Sequence, residues 1–168
     1  MIRSVVSTFF LMFFVVLIET ALLSNIFFLP AVPDLLLLVL LFLSVNNGST
    51  FGEVSGFYSG FLLDFLSASP LGLNSLIRTV IGFLTGLFHK TLNVRGFFIP
   101  ALMGFLGTLS KVILIQIISF FFPQGIITYN IFSTGFIFEL ILNTLLCPCV
   151  FFLLSLFPSF FVNNNKVV

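Results

Sequence analysis

The chain is a succession of long apolar runs separated by short polar or proline- and glycine-rich punctuation. The first run covers about 5–23, follows Arg3, and has the length of a membrane span. No A-x-A-like cleavage site follows it, so an uncleaved helix is expected. Pro30 sits in a loop over 24–32, and Pro33 suits the first turn of a second helix, about 33–45. That helix is apolar on every face and stops at Asn46-Asn47-Gly48. A glycine-rich third helix covers about 51–66 and breaks at Ser67-Ala68-Ser69-Pro70, and a fourth covers about 73–88. The fifth, about 97–122, ends at Pro123-Gln124-Gly125, and the sixth, about 129–156, contains Pro148 as an expected kink. Residues 159–168 form a short polar tail. No linker, internal repeat or second domain interrupts the pattern. The expected fold is an all-α integral membrane protein, one six-transmembrane-helix bundle over 1–168.

Composition narrows the class. Of 168 residues, 60% are hydrophobic and 7% charged, far below the roughly 25% charge of soluble domains. Six Lys or Arg against five Asp or Glu leave a net charge of +1, which excludes a nucleic-acid partner. With about 20 residues per span, the chain holds at most six or seven. Phenylalanine occurs 27 times and tryptophan never, a bias that fits codon usage better than aromatic recognition.

The basic residues set an orientation. With six spans and a cytoplasmic N-terminus, one side receives Arg3, the loop holding His89, Lys90 and Arg95, and Lys166. The loops over 24–32, 67–72 and 123–128 carry no Lys or Arg. The positive-inside rule then predicts both termini in the cytoplasm.

That topology gives the other charges a depth. Glu19, Asp34, Asp64, Arg78 and Glu139 fall in the outer half as a shared polar layer, and Lys111 falls near the middle. Ionisable groups at such depths pair or face a cavity. For Asp34 and Lys111 the plain alternatives are a headgroup position and snorkelling. Gly52, Gly56, Gly60 and Asp64 recur every four residues on the third helix, and Arg78, Gly82 and Gly86 do so on the fourth. Small residues at this spacing let helix backbones approach closely in lipid. An antiparallel hairpin about Leu71 sets Gly60 against Gly82, Gly56 against Gly86, and Asp64 against Arg78. The expectation is a structural seam of five glycines closed by an Asp64–Arg78 ion pair.

No Walker loop, G-x-S-x-G elbow, H-E-x-x-H helix or dinucleotide fingerprint occurs, so no enzyme, cofactor or metal is expected. His89 reads as a solvated loop residue. Cys147 and Cys149 flank Pro148, and two thiols without further ligands read as part of a kinked helix.

The order PDLLLLVLLFLSVNNG, GEVSGFYSGFLLD, SPLGLNSL and IGFLTG resembles the bacterial rod shape-determining MreD family. The matching positions are Gly52, Gly56, Phe57, Gly60, Asp64, Leu71 and Gly72, within about one third of the chain. The resemblance implies a non-catalytic scaffold of the cell-elongation complex in the bacterial cytoplasmic membrane. It implies partners of four kinds: an MreC-like bitopic protein, an MreB-like actin homologue, and RodA-like and penicillin-binding-protein helices that build lateral peptidoglycan. It also implies a fold similar to the S components of energy-coupling-factor transporters. The competing class is an S-component-like vitamin-binding transporter subunit, which requires an outer pocket with convergent polar groups. An ion channel lacks the repeated polar face it needs.

Overall fold

A computed structural model describes residues 2–21, 31–67, 69–94, 96–122 and 133–161. Among them all regular structure is helical. The helices are α1 (Ile2–Ala21), α2 (Leu35–Asn47), α3 (Ser49–Leu66), α4 (Leu73–Leu87), α5 (Phe98–Phe121) and α6 (Thr134–Ser155), followed by the single turn α7 (Pro158–Phe161). The expected start of the sixth helix at 129 and most of the polar tail lie outside the described residues. By length and apolarity, α5 and α6 suffice to cross a membrane.

The second helix forms the centre. Every residue from Leu36 to Val45 is buried, as a helix without a polar face requires. At 13 residues it is about 20 Å long, and α1, α3, α4, α5 and α6 all pack around it. It begins at Leu35, two residues after Pro33, because Asp34 is its N-cap and accepts from the Leu37 amide. It ends at Gly48, whose φ of +95° lets α3 start at the very next residue.

Helices α3 and α4 make the most extensive pairing in the molecule. A Cβ on Gly52 would overlap the Gly82 carbonyl, one on Gly56 the Arg78 carbonyl, and one on Gly60 the backbone of Asn74 and Ser75. A Cβ on Gly86 would strike the backbone of Ser49. All five glycines therefore face the partner helix, but in a different register from the expected one. Gly56 lies opposite Arg78 and not Gly86, a slip of eight residues, or about two helical turns. The hairpin pivots near Ser67 and not near Leu71. The amides of Gly72, Asn74 and Ser75 bond back to the Asp64 carboxylate, so that Asp64 lies beyond the start of α4.

Pro148 lies within a helix assigned continuously from Thr134 to Ser155. Having no N–H, it cannot bond the Thr144 carbonyl. Cys147 is buried and Cys149 exposed, so the two thiols diverge and do not form a paired site. No group of three or more metal-ligating side chains occurs among the described residues.

Candidate functional site: a buried charge cluster

The costliest side chains converge at one end of the bundle. Asp34 is the hub. Its Oδ1 accepts from Leu37 N at 2.9 Å and from Arg78 Nη2 at 2.7 Å. Its Oδ2 accepts from Lys111 Nζ at 2.8 Å. Lys111 Nζ also donates to Glu139 Oε1 at 2.7 Å, so one ammonium bridges two carboxylates. Asp34, Arg78 and Glu139 are each at least 96% buried. The expected Asp64–Arg78 pair is thereby corrected. Arg78 turns toward α2 because the shifted register takes it about two turns past Asp64, to the level where α2 begins.

A polar chain continues from the hub. The Asp34 amide donates to Asn143 Oδ1 at 2.9 Å, Asn143 Nδ2 to Thr108 Oγ1 at 3.0 Å, and Thr108 Oγ1 to the Gly104 carbonyl at 2.9 Å. Glu19 reaches in from α1, its Oε2 accepting from Leu36 N at 2.9 Å. Two amides at the start of α2 that lack a helical partner are thus satisfied by carboxylates, one from α2's own cap and one from α1. Five helices meet through these groups.

Asp64 has a separate task. Helix α4 starts after Gly72, which has no side chain to cap it. The Asp64 carboxylate substitutes, accepting from Gly72 N at 3.0 Å, Asn74 N at 3.0 Å and Ser75 N at 3.1 Å. The Asn74 side-chain amide and the Ser75 hydroxyl also donate to it, at 3.0 and 2.8 Å. A capping carboxylate supplied by the preceding helix locks the α3–α4 hairpin at its turn.

Of the residues singled out in the sequence, the structure thus joins Glu19, Asp34, Arg78, Lys111 and Glu139 in one cluster. It leaves Asp64 outside. The snorkelling alternative for Lys111 and the headgroup alternative for Asp34 do not hold, since each is bonded inside the bundle. Asn143 and Thr108 escaped the sequence reading. A signal for them exists: Glu139 and Asn143 are i, i+4 on α6, while Thr108 and Lys111 are i, i+3 on α5. Each is a polar pair on one face of an otherwise apolar helix.

Chemically, the cluster's hydrogen-bonding capacity is largely turned inward. It fastens helices together: Glu19, Asp34 and Glu139 accept from backbone amides of α2, from Arg78 and from Lys111. A cavity of about 920 Å³ opens at the other end of α2. Its lining is mostly apolar and includes Phe42, Phe97, Pro148, Phe151 and Phe152.

The sequence profile of rod shape-determining protein MreD matches residues 1–157, nearly the whole chain. The chain belongs to the MreD family. No curated protein and no solved structure shows significant similarity to it. The match extends well beyond the third of the chain that holds the quoted motifs. MreD proteins are membrane proteins with a role in rod shape determination, within the machinery that includes MreC and MreB. In this MreD chain the glycine-rich helices build the hairpin, and the charge cluster ties that hairpin to the other helices.

Proposed function

We propose that this MreD protein is a non-catalytic scaffold of the cell-elongation complex, whose rigid bundle docks partner transmembrane helices. In this reading the chain crosses the bacterial cytoplasmic membrane six times with both termini inside. The observation that carries it is the contrast between the two ends of α2. At the Asp34 end the charges bond one another and tie α2, α4, α5 and α6 together. At the Asn46 end a mostly apolar groove of about 920 Å³ stays open between α6, the end of α2 and Val94, Gly96 and Phe97 before α5. A groove of that character fits an apolar helix of an MreC-like, RodA-like or penicillin-binding partner. It lies on the side where an MreB-like filament would sit under the proposed orientation. The S-component-like alternative needs polar groups that converge on a ligand, and here they converge on each other.

The test is photo-crosslinking from benzoylphenylalanine at Phe152 or Leu153, both exposed beside the groove, in a rod-shaped host dependent on this protein. Crosslinks to partner membrane helices are expected from these positions and not from Ile141, exposed near the charged end of α6. Depletion should round the cells. Normal rods after depletion, together with a newly acquired vitamin requirement, overturn the scaffold reading.

A further inference from the structure

The chain holds five acidic residues, and four are satisfied from within. Glu19 accepts from the Leu36 amide, Asp34 from Arg78 and Lys111, Asp64 from the first amides of α4, and Glu139 from Lys111. Glu53 is the exception. It is the fifth residue of α3, about 6 Å along the helix axis from Ser49, and it is half-buried. Among the described residues it makes no hydrogen bond and no ion pair. Gly52 before it faces α4 and Val54 after it is 65% exposed, so Glu53 flanks the glycine seam on the outside of the bundle. Ionisable side chains within membrane helices pair with one another or face water, and the short stem of glutamate snorkels less far than lysine or arginine.

The outward continuation of this acid is aromatic. Phe57, Phe61 and Phe65 follow Glu53 at four-residue intervals, so one acid and three rings make a single stripe about 18 Å long. The rings are 56%, 45% and 64% exposed. They pack into a column, with centroids 6.0 Å apart for Phe57 and Phe61 and 4.6 Å apart for Phe61 and Phe65. Rings already packed on one another lose little rotamer freedom when a partner covers them.

We propose that this stripe docks one transmembrane helix of another protein, which sets a basic residue against Glu53 and lays its apolar side along the three rings. An arginine in that place pairs with the carboxylate through two N–H groups and rests on the Phe57 ring. The surface rests on the membrane crossing of α3 in the reading above, under which Glu53 lies near the cytoplasmic face, where membrane helices carry their Lys and Arg. The stripe belongs to α3 and the groove to α2 and α6, so the two docking surfaces can fail separately.

The test places benzoylphenylalanine at Phe61 of the full-length protein, in membranes of the dependent rod-shaped host, with Leu106 on α5 as the control position. Phe61 and not Leu106 should capture a membrane protein whose helix carries Lys or Arg level with Glu53, as peptide mapping of the crosslink would show. Glu53→Gln should lower that capture about tenfold, the worth of one charge-assisted hydrogen bond. Replacing the partner's basic residue by Gln should lower it equally, and combining the two changes should lower it no further. Purified Glu53→Gln protein should melt with the native protein, because the carboxylate bonds nothing inside the chain. Capture from Phe152 in the groove should be unchanged by Glu53→Gln. Label only on phospholipid or on a second copy of this chain, equal capture in Glu53→Gln, or independent losses from the two changes overturns the proposal. A Glu53→Gln protein that melts below the native one and loses capture at both surfaces assigns Glu53 to the fold and overturns it as well.

Discussion

Arg78, in the middle of α4, donates from Nη2 to Oδ1 of Asp34 at the start of α2, 44 residues earlier, across 2.7 Å with both side chains buried. This long-range pair fixes the depth of the α3–α4 hairpin against the central helix. Breaking a buried pair from one side leaves an uncompensated charge and typically costs about 3–5 kcal/mol.

The pair can be tested by a double-mutant cycle on thermal unfolding in detergent. Asp34→Ala and Arg78→Ala should each destabilise strongly, and the double variant should cost well below their sum. A coupling above about 1 kcal/mol is expected. The cycle between Asp64→Ala and Arg78→Ala should be additive within about 0.5 kcal/mol, because the two share no partner. Strong coupling in the second cycle with none in the first would restore the Asp64–Arg78 pair and refute the observed register.

The glycine contacts make a contrasting prediction. Alanine normally favours a helix over glycine by about 1 kcal/mol. At Gly56 the added methyl meets the Arg78 backbone, which cannot move without separating α3 from α4. Gly56→Ala should therefore destabilise by about 1–3 kcal/mol. At Gly107 the atoms nearest the new methyl are the terminal carbons of Leu41, at 2.8 and 3.2 Å, and a side-chain end gives way more cheaply than backbone. Gly107→Ala should be near neutral in the same assay.

These residues show what the sequence could and could not convey. The spacing of Gly52, Gly56 and Gly60 marks a face for close approach, because helical periodicity is a local property. The register of that face against α4 depends on the path of the 67–72 connection, and on Asp64 taking the α4 amides in place of Arg78. Both follow from three-dimensional competition for hydrogen bonds that spacing does not encode. The charges of Glu19, Asp34, Arg78 and Glu139 are conspicuous in a chain this apolar. Their partners are not, since Asp34 meets Lys111 from 77 residues away. The central role of α2 was written in its lack of a polar face, and its capping by Glu19 of another helix was not.

The Asp64 cap predicts a local effect. Asp64→Ala removes the acceptor of three backbone amides at the start of α4, and loss of a cap costs about 0.5–2 kcal/mol. Hydrogen exchange at Asn74 and Ser75 should accelerate markedly, with little change at the start of α2, which Asp34 and Glu19 cap. Equal acceleration at both helix starts would mean that Asp64 supports the whole bundle and not the α4 terminus.

The two cysteines report on the groove. Cys149 is exposed and lines the apolar cavity, while Cys147, two residues earlier, is fully buried where α6 crosses α5 at Gly104. In the detergent-solubilised protein a small maleimide should therefore modify Cys149 and spare Cys147, as peptide mass spectrometry would reveal. A transmembrane helix docked in the groove must cover Cys149, because Pro148 and Phe152 beside it form part of the same lining. Copurified with its partner helices, the protein should lose most of the Cys149 modification, and a Phe152→Asp variant that places a charge in the apolar surface should regain it. Cys149 that reacts equally fast alone and in the complex would show that the groove remains uncovered, and partner docking would have to be sought on another face.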